Sequence, residues 1–230
     1  MVAVAVFAVF WAAIHPLVSG GPLRARLVAA LGDENRYRGV FALLSTVGVV
    51  GLTVAYHYAP YVPVWAPPLG LRPLVETTML IAFLLAGIGG ATPSPTSAGR
   101  EKLFQAEEPA RGILRITRHP FLMATALWSA AHLLVRGDAA SMLFFGSFLY
   151  LGITGPLRID RRQRAQFGAA WERFAAKTSI VPFGAILGGR NRLALGEIGV
   201  GRFAIAFVLY LVVALWAHKL LFGVSPFIGV

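Results

Sequence analysis

The sequence predicts an all-α membrane protein: a helical bundle of about six transmembrane helices, with an additional amphipathic helix at the cytoplasmic membrane surface. Three observations predict this class. Of the 230 residues, 57% are apolar, and the mean hydropathy is +0.69. Only 13% are charged, whereas a typical soluble domain has about a quarter. Finally, long stretches contain no charged residue at all: 1–23, 39–71, 77–99, 119–135, 139–157 and 203–218.

A transmembrane helix needs about 20 mainly apolar residues. The uncharged stretches therefore predict spans at roughly 1–18, 39–58, 74–91, 120–136, 139–157 and 203–222. We treat residues 1–230 as one membrane domain. The first span has no basic segment before it and further spans follow it, so we expect a retained helix rather than a cleaved signal.

The positions of the basic residues predict the topology. Most of the 21 Lys and Arg residues lie in the first, third and fifth connections, and the second and fourth contain only Arg72 and Arg136. The positive-inside rule makes the odd connections cytoplasmic and both termini periplasmic, in a bacterial inner membrane. The net charge of +11 is explained by this pattern, so we do not expect a nucleic-acid partner.

The fifth connection contains the predicted amphipathic helix. Phe167, Trp171 and Phe174 recur at helical spacing, and basic residues such as Arg173 and Lys177 supply the polar side. One interpretation is a surface anchor attracted to anionic lipids. The other is that its arginines help to form a site at the level of the lipid headgroups.

An ionisable residue inside a membrane span is costly and therefore suggests a function. His15 precedes Pro16, which frees a backbone carbonyl, so the imidazole either bonds such a carbonyl or ligates a metal. His132 lies in the fourth span, one turn after Trp128. There is no cysteine, which excludes disulfides and thiolate ligands.

Other ionisable residues lie near the predicted outer ends of the spans. We expect interfacial roles for His57, in the aromatic belt, and for His218, beside Lys219. Glu76 follows Arg72 by four residues, the spacing of a structural ion pair on a helix.

Arg118 and His119 stand directly before Pro120, which predicts that the fourth span begins at this proline. The positive end of the helix adds to the two basic side chains, and together they favour an anion such as a phosphate, a carboxylate or a propionate. The alternative is an ordinary positively charged flank of a span. These two residues are also the candidates for a catalytic role.

Four stretches together resemble the NnrU family of bacterial membrane proteins, which includes the plant 15-cis-zeta-carotene isomerases. They are "HPLVSGGPLRARLVAALGDENRYRGVFALLS", "RITRHPFLMATALWSAAHLL", "DRRQ" and "FGAAWERFAAKTSIVPF". The resemblance implies an integral membrane haem b protein, with His15 and His132 as axial iron ligands. It also implies a role linked to nitrite and nitric oxide reduction in denitrification. The isomerases have a cysteine three residues before the second histidine, where this chain has Ser129.

The predicted topology gives the two histidines different depths. His15 falls near the cytoplasmic end of the first span, and His132 about two-thirds of the way across the fourth. Either the first span lies deeper than predicted, or one of the two is not a ligand. His119 matches the depth of His15 better.

A more distant likeness is to the isoprenylcysteine carboxyl methyltransferases and related sterol reductases. It implies a rival function, methyl transfer from S-adenosylmethionine to a lipid-like substrate, in a pocket of Arg118, His119, Asp160 and Arg164. The favoured function is a haem-dependent redox or isomerisation role, with Arg118 and His119 binding a haem propionate or a cofactor phosphate. A third possibility is a non-enzymatic protein that assembles or regulates a reductase. The expected partners are membrane lipids, with a lipophilic substrate or a reductase complex.

Overall fold

The computed structural model of the chain describes residues 1–18 and 22–226, and these contain helices but no β-strand. In chain order the α-helices are α1 (Val2–Val18), α2 (Pro22–Leu31), α3 (Glu34–His57), α4 (Arg72–Gly90), α5 (Ile113–Ile116), α6 (Pro120–Val135), α7 (Ala139–Phe167), α8 (Ala169–Ala176), α9 (Gly184–Leu187), α10 (Val200–Val212) and α11 (His218–Phe222). A π-helical turn, Val213–Ala217, joins α10 to α11. Short 3-10 helices lie at Leu69–Leu71, Glu101–Gln105 and Leu195–Glu197.

Four helices are long and apolar enough to cross a membrane: α3, α4, α7 and the continuous segment Val200–Phe222. This confirms an all-α, multi-pass membrane protein. Helix α1 has 17 residues and α6 has 16, and both are apolar but shorter than the other four. The prediction of six spans is therefore confirmed for four of them, and the status of α1 and α6 as full spans stays a prediction.

Helices α1, α3 and α7 pack together, and α3 runs in the direction opposite to the other two. The Tyr37 hydroxyl, at the start of α3, donates to the carbonyl of Val18 at the end of α1, over 2.7 Å. Tyr56, near the end of α3, is 2.8 Å from the hydroxyl of Ser141 near the start of α7. Helix α3 is thus antiparallel to both α1 and α7, and α1 packs against α7 in the same direction.

The other half of the bundle continues from α7 through α6 and α4 to α10. Gly89, at the end of α4, lies against Pro120 at the start of α6. Phe83 of α4 contacts Tyr210 of α10, with the ring centroids 5.7 Å apart. These helices alternate in direction as well. One end of the bundle, the N-terminal face, therefore holds the start of α1 and the end of α11, and the opposite end, the basic face, holds the odd connections.

Small residues let α6 and α7 approach closely. A Cβ atom added to Gly152 would lie 2.8 Å from the backbone nitrogen of Ala126 and 2.9 Å from its Cα, closer than real contacts allow. Glycine and alanine at such crossings are typical of helices that pack inside membranes, where dispersion contacts replace the hydrophobic effect between helices. The α6–α7 contact therefore depends on a glycine at this position.

We expect Gly152→Val to destabilise the protein by about 1–3 kcal/mol, because the two backbones must separate. Thermal unfolding in detergent, followed by tryptophan fluorescence, measures the effect. Gly146→Val is the matched control on the same helix, since nothing lies within 4 Å of a Cβ added there. Equal melting temperatures for the two variants would contradict the close α6–α7 crossing.

The fifth connection differs from its prediction. Helix α7 continues past the predicted end of its span at residue 157 as far as Phe167, and the short α8 begins two residues later. Trp171 and Phe174 of α8 are buried in a core cluster that includes Phe104. The predicted amphipathic helix on the membrane surface is therefore not confirmed, because its apolar side packs on the protein itself.

Candidate functional site

At the basic face, the chain before α6 is fixed by backbone contacts. The hydroxyl of Thr117 donates to the carbonyl of Ile180 over 2.7 Å, and the backbone N–H of Arg118 donates to the backbone carbonyl of Ser179 over 2.9 Å. Pro120 then occupies the first turn of α6, as predicted. The segment after α8 thus holds Arg118 and His119 in place.

Both side chains point to one carboxylate on α7. Arg118 donates from Nε and Nη2 to Oδ2 of Asp160, over 2.8 and 2.6 Å. His119 donates from Nε2 to Oδ1 over 2.8 Å. The side chains of Arg118, His119 and Asp160 are only 11%, 2% and 10% exposed. We call these three residues the Asp160 cluster. It links the start of α6 to the extension of α7 at the basic face.

The Asp160 cluster brings the two predicted basic residues together on an internal anion. The prediction that they bind an external phosphate or propionate stays a prediction, and such an anion would have to share or displace Asp160. Arg164, the fourth residue of the methyltransferase hypothesis, instead pairs with Glu172 at the surface over 2.7 Å. The arrangement favours a structural role over an open cofactor pocket.

A second ion pair at the basic face joins Arg115 to Glu197. The guanidinium donates to both carboxylate oxygens, each over 2.8 Å, and the backbone N–H of Gly112 donates to Oε2 over the same distance. The hydrogen bond from Arg115, followed by that from Gly112, lowers the pKa of Glu197 from 4.5 to about 2. The same pair raises the pKa of Arg115.

Because the pKa of Glu197 is lower in the folded state, its stabilising contribution is complete above the unfolded pKa of 4.5 and is lost as the pH falls towards about 2. We expect the melting temperature of Glu197→Gln to depend less steeply on pH than that of the wild type between these values. Thermal melts of both proteins across this interval give the comparison. Parallel curves would show that the Arg115–Glu197 pair contributes nothing to acid stability.

At the N-terminal face, α4, α6 and the segment from α10 to α11 enclose a cavity of about 250 Å³. We call it the outer cavity. Apolar side chains such as Met79, Phe83 and Val135 form part of its wall. Its polar and charged lining consists of Arg72, Glu76, His132, Arg136, Tyr210, His218 and Ser225.

His132 is oriented as metal-binding histidines are. Its Nδ1 lies 2.8 Å from the carbonyl of Trp128, which can only accept, so Nδ1 carries the proton and Nε2 keeps a lone pair. Nε2 has no hydrogen-bond partner in the described part of the chain. The ring stacks on Phe145, with the centroids 4.4 Å apart. Packing therefore fixes the imidazole while the unprotonated nitrogen remains available.

Arg72 and Arg136 bring two positive charges to the outer cavity. Neither forms an ion pair or a side-chain hydrogen bond within residues 1–18 and 22–226, so the predicted pair of Arg72 with Glu76 is not formed. The two arginines face one carboxylate, that of Glu76, so the lining of the cavity carries an excess positive charge. The outer cavity is therefore suited to a ligand that carries carboxylates.

A second, apolar cavity of about 210 Å³ lies between α4, α6 and α7. Phe83 lines both cavities, and Trp128 lines this one while contacting His132, with the ring centroids 5.0 Å apart. We call it the apolar cavity; its other lining residues are Ala82, Ala86, Ala124, Thr125 and Phe148.

The structure does not bring His15 to either cavity. Its Nδ1 lies 2.8 Å from the carbonyl of Trp11, and its ring packs edge-on against Trp11 and Phe41. Trp11 and Trp128 both contact Phe148, from α1 and α6 respectively. Helices α1 and α6 run in opposite directions. From the level of Phe148, His15 therefore lies one turn towards the basic face, and His132 lies one turn towards the N-terminal face. They therefore differ in depth by about 12 Å, at about 1.5 Å per residue.

Comparison with known proteins identifies the family. A family model described as "NnrU protein" matches residues 3–226. The chain belongs to the NnrU family. Among curated proteins, this NnrU protein is 35% identical over 82 residues to a protein named "15-cis-zeta-carotene isomerase, chloroplastic" from Zea mays, which is 36% of this chain and 22% of the maize protein. It is 32% identical over 118 residues to the protein of the same name from Arabidopsis thaliana, which is 50% of this chain and 32% of the Arabidopsis protein.

The NnrU chain thus aligns with 22% and 32% of the length of these two plant relatives. No solved structure matches it significantly. In the described part of this NnrU chain, no group of three or more His, Asp or Glu side chains could hold a metal ion. Haem iron takes four ligands from its porphyrin, so the protein needs to supply only one or two.

Proposed function

We propose that this NnrU protein is a haem-dependent membrane isomerase that acts on a lipophilic, polyene-like substrate. The outer cavity is the proposed haem site, and the apolar cavity is the proposed substrate site. One observation carries the proposal: His132 lines the outer cavity with an unprotonated Nε2, next to two arginines that have no partner in the described residues. The similarity to the zeta-carotene isomerases supports it.

The chain's residues fit haem b in two respects. His132 would offer Nε2 to the iron, and its Nδ1–H donates to a backbone carbonyl, as the other ring nitrogen of a metal-binding histidine usually does. Arg72 and Arg136 offer charge-assisted hydrogen bonds to the two propionates. When bound, haem would supply a one-electron redox centre beside the substrate.

The apolar cavity supports a lipophilic substrate. Its lining is almost entirely hydrocarbon, with Thr125 as the one hydroxyl, and that hydroxyl already donates to the carbonyl of Phe121 over 3.0 Å. Such a wall binds an apolar chain through apolar contact area. Trp128 lies between this wall and His132, so the substrate and the cofactor would meet across its indole ring.

An isomerisation assay tests the proposal. The purified protein, reconstituted with haem in liposomes, is given a 15-cis-configured linear carotene, and its conversion is followed by chromatography. We expect the wild type and His57→Ala to convert it, because His57 is exposed and contacts neither cavity, and His132→Ala to lose conversion at least a hundredfold. Conversion by His132→Ala at the wild-type rate would refute the proposal.

The link to nitrite and nitric oxide reduction, the accessory role and the location in a bacterial inner membrane remain predictions from the resemblance. The two plant relatives are named as chloroplastic. The methyltransferase alternative is not favoured, because Asp160, Arg118 and His119 already bind one another in a closed cluster.

A further inference from the structure

A row of polar side chains runs along α7 towards the basic face. Its members follow one another at intervals of four residues, which places them on the same side of the helix, about one turn apart. We call it the Arg158 row; it consists of Tyr150, Thr154, Arg158 and Arg162. Ile153 and Leu157, beside the row, are 54% and 56% exposed. Exposed apolar side chains on a membrane span contact lipid, so the row borders the lipid-facing surface of α7.

The guanidinium of Arg158 points along this row into the span. Its Nη1 donates to the Tyr150 hydroxyl over 3.2 Å, and its Nη2 donates to the hydroxyl of Thr154. Its Cζ lies 5.2 Å from the centroid of the Tyr150 ring. Helical side chains lean towards the N-terminus, which in α7 is away from the basic face. Arginines at span ends usually extend towards water instead, so Tyr150 and Thr154 hold this charge beside the lipid.

The charge on Arg158 has no counter-ion in the described part of the chain. Arg158 forms no ion pair within residues 1–18 and 22–226. Arg161 and Arg162 follow it at three and four residues, so three like charges are neighbours on α7. The one acidic residue of α7, Asp160, is already bound within the Asp160 cluster. This part of α7 therefore carries an excess positive charge that an external anion would neutralise.

We propose that the Arg158 row binds the phosphate of an anionic phospholipid from the leaflet at the basic face. A guanidinium has five N–H groups in a fork that matches phosphate, and Tyr150 and Thr154 use only two of them. The acyl chains would lie against the exposed Ile153 and Leu157. A zwitterionic lipid would add an ammonium group that the arginines repel, so the site selects a lipid with a net negative charge.

This site is separate from the proposed haem site. The Arg158 row lies towards the basic face on α7, whereas the outer cavity opens at the N-terminal face between α4, α6 and the segment from α10 to α11. Lipid binding at Arg158 therefore stands or falls independently of haem binding.

Native mass spectrometry of the detergent-purified protein, titrated with dioleoylphosphatidylglycerol, tests the inference. We expect one tightly bound lipid per wild-type chain. Binding to Arg158→Gln should be about 10- to 100-fold weaker, because the variant loses a charge-assisted contact with the phosphate. Arg173→Gln, the matched control, removes an exposed arginine of α8 at the same face and should bind like the wild type.

Two further titrations identify the ligand. Dioleoylphosphatidylcholine has the same acyl chains but no net charge, and it should bind the wild type at least tenfold more weakly. Inorganic phosphate at millimolar concentration should not displace the bound phosphatidylglycerol. Equal affinities of the wild type for the two lipids would overturn the inference without the use of any variant. Displacement by phosphate would show a simple anion site and would overturn a lipid ligand.

Thermal melts separate a lost site from a lost fold. Without lipid, the wild type, Arg158→Gln and Arg173→Gln should melt alike. Phosphatidylglycerol should then raise the melting temperature of the wild type and Arg173→Gln but not that of Arg158→Gln, because a ligand stabilises only the protein that binds it. Equal stabilisation of all three proteins, or equal affinities of the wild type and Arg158→Gln, would contradict the role of Arg158.

Discussion

Replacing Asp160 by asparagine is expected to destabilise the protein by about 3–5 kcal/mol, because it leaves two buried basic side chains without their anion. Asp160 accepts three hydrogen bonds from Arg118 and His119, and all three side chains are nearly inaccessible to solvent. An asparagine keeps the volume but provides one acceptor and no charge. Thermal unfolding in detergent, together with size-exclusion chromatography after heating, measures the loss.

Glu172→Gln is the matched control for Asp160→Asn. Glu172 also pairs with an arginine, Arg164, over 2.7 Å, but the two side chains are 49% and 66% exposed. Exposed pairs contribute about 0–1 kcal/mol. Equal losses for Asp160→Asn and Glu172→Gln would show that the Asp160 cluster does not hold α6 and α7 together.

The second large effect is expected at the outer cavity. Replacing both Arg72 and Arg136 by glutamine should weaken haem binding about 10²- to 10⁴-fold, because each arginine loses a charge-assisted bond of about 1.5–3 kcal/mol to a propionate. Both side chains line the cavity and have no partner in the described residues that would compete for them. Titration of the apoprotein with haemin, followed by absorbance, gives the affinities.

Two controls make the arginine prediction specific. Lys219→Gln removes a charge from the same face, but Lys219 does not line the cavity, so the affinity should stay unchanged. Haemin dimethyl ester, whose propionates are neutral, should bind the wild type and the double variant alike. Wild-type protein that binds the ester as tightly as haemin would contradict a role for Arg72 and Arg136 in holding propionates.

The sequence was sufficient to predict the four long helices because the length of an apolar run is a property of one segment alone. The predicted start of the fourth span at Pro120 is confirmed, and the second span, predicted at 39–58, begins earlier, at Glu34. The end of α7 was wrong by about ten residues. Hydropathy marks where the apolar run ends, whereas the helix continues through Asp160 and Gln163, which are buried against other segments.

The candidate site was less predictable because it depends on which helices are neighbours. His132 stood out in the sequence as a histidine inside a span, but His218, Arg72 and Arg136 resembled ordinary interfacial residues. A usable signal was present: Arg72, Arg136 and His218 lie at span ends on the predicted outer side of the membrane, and His132 lies in the outer half of its span. The sequence contains no information on the order of helices that brings α4, α6 and α10 around one cavity.

The Asp160 cluster also shows the limit of predicting a site from sequence. The sequence correctly grouped Arg118 and His119 before Pro120 and suggested an anion for them. The anion that they contact is Asp160, some 40 residues further along the chain. The likeness to methyltransferases placed Asp160 in one pocket with them, but the packing of α6 against α7 is what shows that it is their direct partner. A basic pair at a helix start does not distinguish an internal carboxylate from an external ligand.

The absorption spectrum of the protein purified from haem-replete cells tests the central claim, that the outer cavity holds haem through His132, most directly. We predict a Soret band that corresponds to about one haem per chain, one per His132 site, that is lost in His132→Ala and retained in His57→Ala. The absence of a Soret band in the wild type, or a band that survives unchanged in His132→Ala, would contradict it.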